Sequence, residues 1–225
     1  GVTVGNTVTI ETYSTVIQAT SGLVSYWRLD ESSGTSAADS KASNTGTYTG
    51  GYTLSASGAL AGDSDKAATF NGSTGYVAVG NPASLQLGTG TIEAWIKTSN
   101  AGTSWRDVVS KDNAYTLLAK ANILGTYDLN AGADRATAIN IADNAWHHVV
   151  VTFQSGVANG TKVYSDGTLA LTTTITVRAQ TGAFEIGSWK GSGEFWTGTI
   201  DEVAMYNAVL SASTITDHYI SGHGS

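Results

Sequence analysis

Acidic residues are the first candidates for chemistry in this chain, because hydrolysis of a glycosidic bond needs two carboxyl groups on one surface. Positions 30–31 and 201–202 each hold an Asp followed by a Glu. Successive side chains of an extended strand point to opposite faces, so neither of these adjacent pairs is expected to act jointly. Glu93 and Glu185 come from different predicted strands, and they are the remaining pair that could supply an acid and a nucleophile or base.

Histidine offers a weaker signal. His147 and His148 are consecutive in a predicted strand, so their rings point opposite ways and cannot chelate one ion together. We expect whichever of them faces the interior to be a hydrogen-bonded structural histidine. The sequence contains no nucleophile elbow and no glycine-rich phosphate loop. No motif therefore indicates serine-hydrolase or phosphoryl-transfer chemistry.

Aromatic residues are the most informative candidates for binding. The chain has 6 Trp and 10 Tyr, although only 13% of its residues are charged, and aromatic faces are surfaces on which sugar rings pack. Three tryptophans lie inside strand-like motifs and are expected in the core: Trp27, Trp95 and Trp146. Three others fall in or beside predicted loops, where binding residues concentrate: Trp105, Trp189 and Trp196. Nearby polar residues could orient a hydroxyl-rich ligand: Arg106, Asp107, Asp112, Asn113 and Lys190.

Composition excludes several classes of function. Eleven Lys and Arg against 18 Asp and Glu give a net charge of −7, and no basic cluster is dense enough to bind a run of phosphates. Nucleic acid is therefore not an expected partner. The absence of Cys excludes a disulfide framework, a thiol nucleophile and a thiolate metal site. No apolar run approaches the roughly 18 residues of a membrane-spanning helix, so we expect no membrane insertion.

Short alternating segments separated by turns predict an all-β protein over most of the 225 residues. Residues 91–97 carry apolar bulk on both faces and predict an interior strand. Asp166-Gly167 predicts a hairpin, and Asn71-Gly72 predicts a turn between two further strands. One helix is predicted from Ala212 to Tyr219, capped by Ser211 and closed by Gly222.

The strands favour two packed antiparallel sheets, because no repeat of fixed period indicates a propeller or solenoid. Residues 1–21 are predicted to form an N-terminal arm or linker, with strand-like patterns at residues 2–4 and 7–11 and a connector over residues 14–22. The main domain is predicted over residues 22–222. One domain of this length is ordinary for a β-sandwich.

Six ordered motifs resemble laminin G-like, concanavalin A-like lectin jelly rolls of bacterial and phage surface proteins. They are residues 26–40 (YWRLDESSGTSAADS), 68–72 (ATFNG), 91–97 (TIEAWIK), 146–149 (WHHV), 164–167 (YSDG) and 198–206 (GTIDEVAMY). The resemblance implies a two-sheet antiparallel β-sandwich with one short C-terminal helix. It also implies a glycan- or protein-binding module attached to adhesins, tail proteins or carbohydrate-active enzymes, although one fold hosts many functions. The Glu-x-Asp-x-x-Glu strand of the β-glucanase relatives is missing from this sequence.

The same resemblance implies a calcium ion on the rim of the sandwich. Asp201 matches the carboxylate that relatives place in the last strand, and Asp30 is its natural partner near the first strand. Asp65 could add a further oxygen ligand. Oxygen donors of this kind favour Ca²⁺ over Zn²⁺, and the ion would be structural because it joins the first strand to the last. Solvated or hydrogen-bonded strand-end acids are the alternative interpretation.

These observations favour a non-catalytic recognition module, which would bind a glycan or another cell-surface ligand. We expect it to be part of a larger multidomain surface or virion protein, and therefore extracellular, at the cell surface or on a virion. A structural or protein-interaction spacer without glycan binding is the competing hypothesis, and a glycoside hydrolase is a third.

Overall fold

The structure is a computed structural model that describes residues 12–41, 44–178 and 180–224. The strand-like patterns predicted at residues 2–4 and 7–11 lie outside the described residues. Within them, the chain forms two antiparallel sheets packed face to face, together with two helices, α1 (Tyr13–Ala19) and α2 (Ala212–His223). Neither helix combines the length and the hydropathy that a transmembrane span requires.

Sixteen strands are present in the described part of the chain. They are β1 (Leu23–Trp27), β2 (Ser36–Ala37), β3 (Gly46–Thr49), β4 (Tyr52–Ser57), β5 (Lys66–Asn71), β6 (Tyr76–Gly80), β7 (Thr89–Lys97), β8 (Trp105–Lys111), β9 (Tyr115–Lys120), β10 (Ile123–Asp128), β11 (Ala133–Asn140), β12 (Trp146–Gln154), β13 (Thr161–Ser165), β14 (Thr168–Thr173), β15 (Phe184–Ile186) and β16 (Thr197–Tyr206).

The first sheet has the order β14-β13-β12-β7-β16-β5-β4, and β1 also pairs with β16. The second sheet has the order β11-β10-β9-β8-β15-β6-β3-β2. The two-sheet antiparallel sandwich predicted from the sequence is confirmed. Strand β7 is an interior strand, as its apolar bulk on both faces predicted, since β12 and β16 flank it.

Side-chain alternation in the strands divides the buried residues into two clusters. Ile92 and Ile96 of β7 face the second sheet and join the main core between the sheets. Trp95, from the same strand, faces the other way and packs with Tyr13 and Ile17 of α1. The two helices therefore cover the outer face of the first sheet, and that face is buried as well.

The N-terminal connector differs from its prediction because part of it is helical. Thr12 caps α1, and its side chain accepts a hydrogen bond from the backbone N–H of Thr15. The predicted C-terminal helix is confirmed with Ser211 as its N-cap, but it continues to His223 and ends at Gly224 rather than at Gly222. Gly222 instead lies inside the helix, where it packs closely against Trp95.

Both predicted turns are present, but only one of them closes a hairpin. Asp166 and Gly167 adopt φ values of 50° and 71° between β13 and β14, which is the hairpin that the Asp-Gly pair predicted. Asn71-Gly72 is also a turn, but β5 and β6 belong to different sheets. That turn therefore carries the chain from one sheet to the other, so it closes no hairpin.

Strand β16 changes partner half-way along its length. Ile200 pairs with Ala68 of β5, whereas Val203 pairs with Trp27 of β1. The register against β7 shifts between Asp201 and Ala204, and the intervening Glu202 has φ 52°. A β-bulge of this kind adds one residue to a strand and reverses the direction of the side chains that follow. The bulge lies in the gap between the end of β1 and the start of β5.

Candidate functional site

An acidic cluster occupies the gap beside the β16 bulge. Asp65 immediately precedes β5, and Asp201 and Glu202 form the bulge itself. One ligand oxygen from each of these three buried residues lies within 4.8 Å of the others. The premise that the side chains of Asp201 and Glu202 point to opposite faces is therefore wrong, because the bulge breaks the regular alternation.

Arg28 holds this cluster together from the end of β1. Its Nη2 donates to Asp65 Oδ1 at 2.8 Å, and its Nε donates to Glu202 Oε1 at 3.0 Å. Its Nη1 also lies 3.2 Å from Asp30 Oδ2. One guanidinium thus faces three carboxylates that come from three separate segments of the chain.

The cluster keeps three buried carboxylate oxygens without a hydrogen-bond donor among the described residues. They are Asp65 Oδ2, Asp201 Oδ1 and Glu202 Oε2. Burial raises the pKa of each of these carboxyl groups above its usual range. Asp201 Oδ2 is partnered, since it accepts from the backbone N–H of Ala59 at 2.8 Å. The free atoms are all hard oxygen donors, the type that Ca²⁺ takes, so the residues present fit such an ion.

The structure brings together only two of the three predicted metal ligands. Asp65 and Asp201 come together as expected, and β1 does pair with β16. Asp30 lies outside the group of three and is 40% exposed at its side chain, where it pairs with Arg28. Glu202, which sequence reasoning passed over, takes its place. A signal was present, because the core residues of β16 switch from the even position Ile200 to the odd position Val203.

A cavity of about 470 Å³ opens on the face of the second sheet that is turned away from the core. Its lining includes Trp105 of β8, Leu118 of β9 and Tyr127 of β10, together with Trp189 from the loop after β15. Both tryptophans are half-buried. We call this cavity the aromatic cleft. Trp105 was predicted beside a loop, but it begins a strand, so the cleft lies on a sheet face as well as at loops.

Cations hold both tryptophan rings of the aromatic cleft. Lys190 Nζ lies 4.6 Å from the ring centroid of Trp189, and Lys120 Nζ lies 4.2 Å from that of Trp105. The Tyr127 ring meets Trp105 edge-on at a centroid distance of 5.2 Å. Cation–π and edge-to-face contacts of this kind restrict ring motion. The rings are therefore positioned before any ligand arrives.

The floor of the aromatic cleft is acidic. Asp107 is 0% exposed, and neither of its carboxylate oxygens has a hydrogen-bond donor among the described residues. Glu194 also lines the cleft, and the Asp107 backbone N–H donates to the Glu194 carbonyl at 2.8 Å. Burial, and then the charge of Glu194, raise the pKa of Asp107 well above its usual range. Burial raises the pKa of Glu194 as well.

Five of the eight candidate binding residues thus line one cleft: Trp105, Asp107, Asn113, Trp189 and Lys190. Arg106 is buried and borders a second cavity of about 250 Å³, which shares Trp105 and Glu194 with the aromatic cleft. Its guanidinium carbon lies 5.5 Å from the centroid of the Trp196 ring. Trp196 is 0% exposed in the main core, so the expectation that it stacks on a ligand is wrong.

The pair proposed for hydrolysis is also corrected, because Glu93 and Glu185 belong to different sheets. Glu93 lies beneath the helices and accepts hydrogen bonds from Tyr13 Oη at 2.8 Å and from His148 Nε2 at 2.9 Å. His218 Nδ1 is 2.9 Å from its second oxygen. Glu185 lies in β15, where it accepts from Ser188 Oγ at 2.6 Å. The two carboxylates face opposite sides of the sandwich and cannot act on one bond. His148 is a buried, hydrogen-bonded histidine, as predicted.

The sequence matches a family model described as the concanavalin A-like lectin/glucanases superfamily over residues 71–216. This chain belongs to that superfamily, and the laminin G-like resemblance is confirmed. No curated protein sequence matches this laminin G-like domain.

Solved structures of the same fold include domains of enzymes and of toxins. The sialidase of Trypanosoma rangeli superposes with a TM-score of 0.68 at 17% identity, over 91% of this chain and 33% of the sialidase. The laminin G-like domain therefore spans about a third of that protein. Domain 4 of AbnA, an extracellular arabinanase from Geobacillus stearothermophilus in complex with arabinotriose, gives 0.60 at 20% identity, over 88% and 98% of the two chains. The botulinum neurotoxin serotype D binding domain gives 0.60 at 13%, over 88% and 51%.

Proposed function

We propose that this laminin G-like domain is a non-catalytic carbohydrate-recognition module whose ligand binds in the aromatic cleft. The observation that carries the proposal is the pair of half-buried rings, Trp105 and Trp189, that line one cavity of about 470 Å³. Cavities of this size suit small ligands, and two aromatic faces with a few convergent polar groups suit sugar rings.

Structural neighbours support the same proposal. The arabinanase domain has nearly the same extent as this chain, and its structure is described as a complex with arabinotriose. Another neighbour is the binding domain of a neurotoxin. A role in attaching a larger protein to a glycan-bearing surface is consistent with both. We therefore propose that the module works outside the cell, at a cell surface or on a virion, as part of a multidomain protein.

Binding is favoured over hydrolysis because the acids that could have formed a catalytic pair are divided between the two sheets. Glu93 lies beneath the helices on the first sheet, and Glu185 lies in β15 of the second sheet. Glycosidases hold their two carboxyl groups about 5–9.5 Å apart on one surface. The Glu-x-Asp-x-x-Glu strand of the β-glucanases is also missing from this sequence.

A glycan array tests this proposal with Trp105→Ala and Trp189→Ala as the cleft variants. Trp146→Ala is the matched control, because Trp146 is another half-buried tryptophan but lies in β12 of the opposite sheet. We expect a restricted set of glycans to bind the parent and the control, and the signal to disappear in both cleft variants. A blank array, or binding that survives in both cleft variants, favours the spacer hypothesis instead.

We also propose that the acidic cluster binds a structural calcium ion. Asp65, Asp201 and Glu202 would supply the protein ligands, with Arg28 bridging two of them from the opposite side. Four carboxylates with Asp30 against one guanidinium leave an excess of negative charge in a desolvated gap, and a divalent cation offsets it. The ion would join the segments next to β1, β5 and β16, so its effect would be on stability.

A further inference from the structure

The floor of the aromatic cleft contains hydrogen-bond acceptors that the protein itself leaves free. Both carboxylate oxygens of Asp107 and the hydroxyl oxygen of Thr116 are buried without a partner among the described residues, and both residues line the cleft. Burying a polar atom without a hydrogen bond is unfavourable, because the atom loses its water partners and gains none from the protein. Three buried acceptor atoms without hydrogen bonds are unusual at one place in a folded protein. They point to a ligand that supplies hydrogen-bond donors.

The negative charge of Asp107 and Glu194, which we call the Asp107–Glu194 pair, indicates which kind of hydrogen-bond donor a ligand would offer. Burial, and then the neighbouring Glu194, raise the pKa of Asp107, so a cation placed beside these two acids would favour their ionised forms. Glu185 adds further negative charge near Asp107. A protonated amine brings three donors and one positive charge, whereas a hydroxyl brings one donor and no charge. Charge-assisted hydrogen bonds are about twice as strong as neutral ones.

The cations around the cleft do not neutralise this floor. Lys190 is exposed at the rim, where its Nζ lies 3.3 Å from Asp112 Oδ1 and above the Trp189 ring. Arg178 is exposed as well, and its Nη1 donates to the Leu129 carbonyl at 3.2 Å. Neither side chain makes a described contact with the carboxyl oxygens of Asp107. Glu194 is half-buried whereas Asp107 is fully buried, so Glu194 is the acid through which the pair meets a ligand in the cleft.

We propose that the Asp107–Glu194 pair is a binding site for a protonated amine, so that the aromatic cleft prefers amino sugars with a free amine. This inference rests on the proposed carbohydrate-binding function and adds a ligand class to it. Trp105 and Trp189 bind the sugar ring, and the two acids select its amine substituent.

Three matched trisaccharides test the preference by calorimetry: β-1,4-linked glucosamine, N-acetylglucosamine and glucose, which differ only in an ammonium, acetamido or hydroxyl group. We expect the glucosamine trimer to bind about tenfold or more tightly than the other two. In the double variant Asp107→Asn/Glu194→Gln, which removes both carboxyl groups, the ratio of affinities should fall close to one. Asp217→Asn, which removes an exposed acid on α2, is the control for net charge and should keep the ratio.

Two outcomes overturn the inference while leaving carbohydrate binding in place. One is equal or weaker binding of the glucosamine trimer, and the other is a preference that survives in Asp107→Asn/Glu194→Gln. A preference that requires added Ca²⁺ and disappears with EDTA also overturns it, because the pair would then hold a metal ion.

A small probe separates this inference from the proposed function. We expect propylammonium, but not propanol, to shift the carboxyl ¹³C signals of Asp107 and Glu194. If the glycan array is blank and this shift occurs, the proposed function fails and the amine site stands. If neither propylammonium nor the glucosamine trimer has an effect, the amine site is refuted.

Discussion

At the scale of single residues, burial separates two tryptophans that look alike in the sequence. Trp105 is the first residue of β8, and Trp196 directly precedes β16, so both lie beside a loop as predicted. Trp105 leaves part of its ring at the aromatic cleft, whereas Trp196 packs in the main core with Ile200. Position beside a loop does not distinguish these two cases. The side chain of Trp196 is buried because it packs on the core side of β16.

We predict that Trp196→Ala lowers the free energy of unfolding by about 3–5 kcal/mol, the cost of removing a large aromatic side chain from a core. Trp105→Ala should lower it by less than about 1 kcal/mol, because part of that ring already faces solvent. Urea denaturation followed by circular dichroism measures both values. Equal losses for the two variants would contradict the division between core and cleft.

His147 links the charge state of one residue to stability. Its Nδ1 is 2.9 Å from Asp166 Oδ2, and its Nε2 is 3.1 Å from Asp143 Oδ1. The hydrogen bond to Asp166 raises the pKa of His147 despite partial burial, and Asp143 adds to the effect. A raised pKa in the folded state means that the stabilisation is complete below about pH 6.5, the ordinary histidine value. It is lost as the pH rises through the folded value.

We therefore predict that the parent exceeds His147→Gln in stability by more at about pH 5.5 than at about pH 8.5. Glutamine keeps a hydrogen-bond donor but does not titrate, and the other histidines are common to both proteins. Denaturation at several pH values gives the difference directly. A difference that stays constant, or that grows toward high pH, would show that His147 is not held in its charged form.

At the scale of secondary-structure elements, one buried carboxylate joins both helices to the first sheet. Glu93 of β7 accepts hydrogen bonds from Tyr13 of α1, from His148 of β12 and from His218 of α2. Burial opposes its ionisation, but the charge of His218 and the hydrogen bonds from both histidines lower its pKa. The sequence predicted a buried histidine in β12. It could not predict the network, because the partners lie 80 and 125 residues from Glu93.

We predict that Tyr13→Phe destabilises the protein by about 1.5–3 kcal/mol, since hydrogen bonds to charged groups have this value. Tyr26→Phe is the matched control, because Tyr26 is fully buried in the same cluster and its hydroxyl has no partner among the described residues. Removing the Tyr26 hydroxyl should leave the free energy of unfolding unchanged or raise it slightly. Urea titration of the two variants decides the matter, and a larger loss for Tyr26→Phe would contradict the network.

Strands were easier to predict than their arrangement. Residues 91–97 and the Asp166-Gly167 hairpin depend on neighbours in sequence, and both are confirmed. The position of Asn71-Gly72 between two sheets depends on distant pairings, so the local turn signal could not reveal it. The bulge in β16 was partly predictable from the sequence. Its reversal of core positions after Ile200 is visible in the sequence, but only when a regular strand is no longer assumed.

At the scale of the whole molecule, closure of the sandwich depends on segments far apart in the chain. Strand β1 pairs with β16, and the acidic cluster lies where β16 exchanges β5 for β1. Asp65 and Glu202 meet through Arg28 across more than 130 residues of sequence. An ion bound here would contribute to the stability of the entire fold, because unfolding of any of the three segments would release it.

We predict that excess Ca²⁺ raises the melting temperature relative to EDTA. A ligand present at one hundred times its dissociation constant stabilises the folded state by about 2.7 kcal/mol, which corresponds to about 5–10 °C for a domain of this size. Asp201→Asn should abolish the Ca²⁺ response, because Asp201 offers a free oxygen to the ion. Asp30→Asn should retain it, since Asp30 lies outside the group of three. An unchanged melting temperature in the parent with either reagent would refute the calcium proposal. A response that Asp201→Asn retains would place the ion elsewhere.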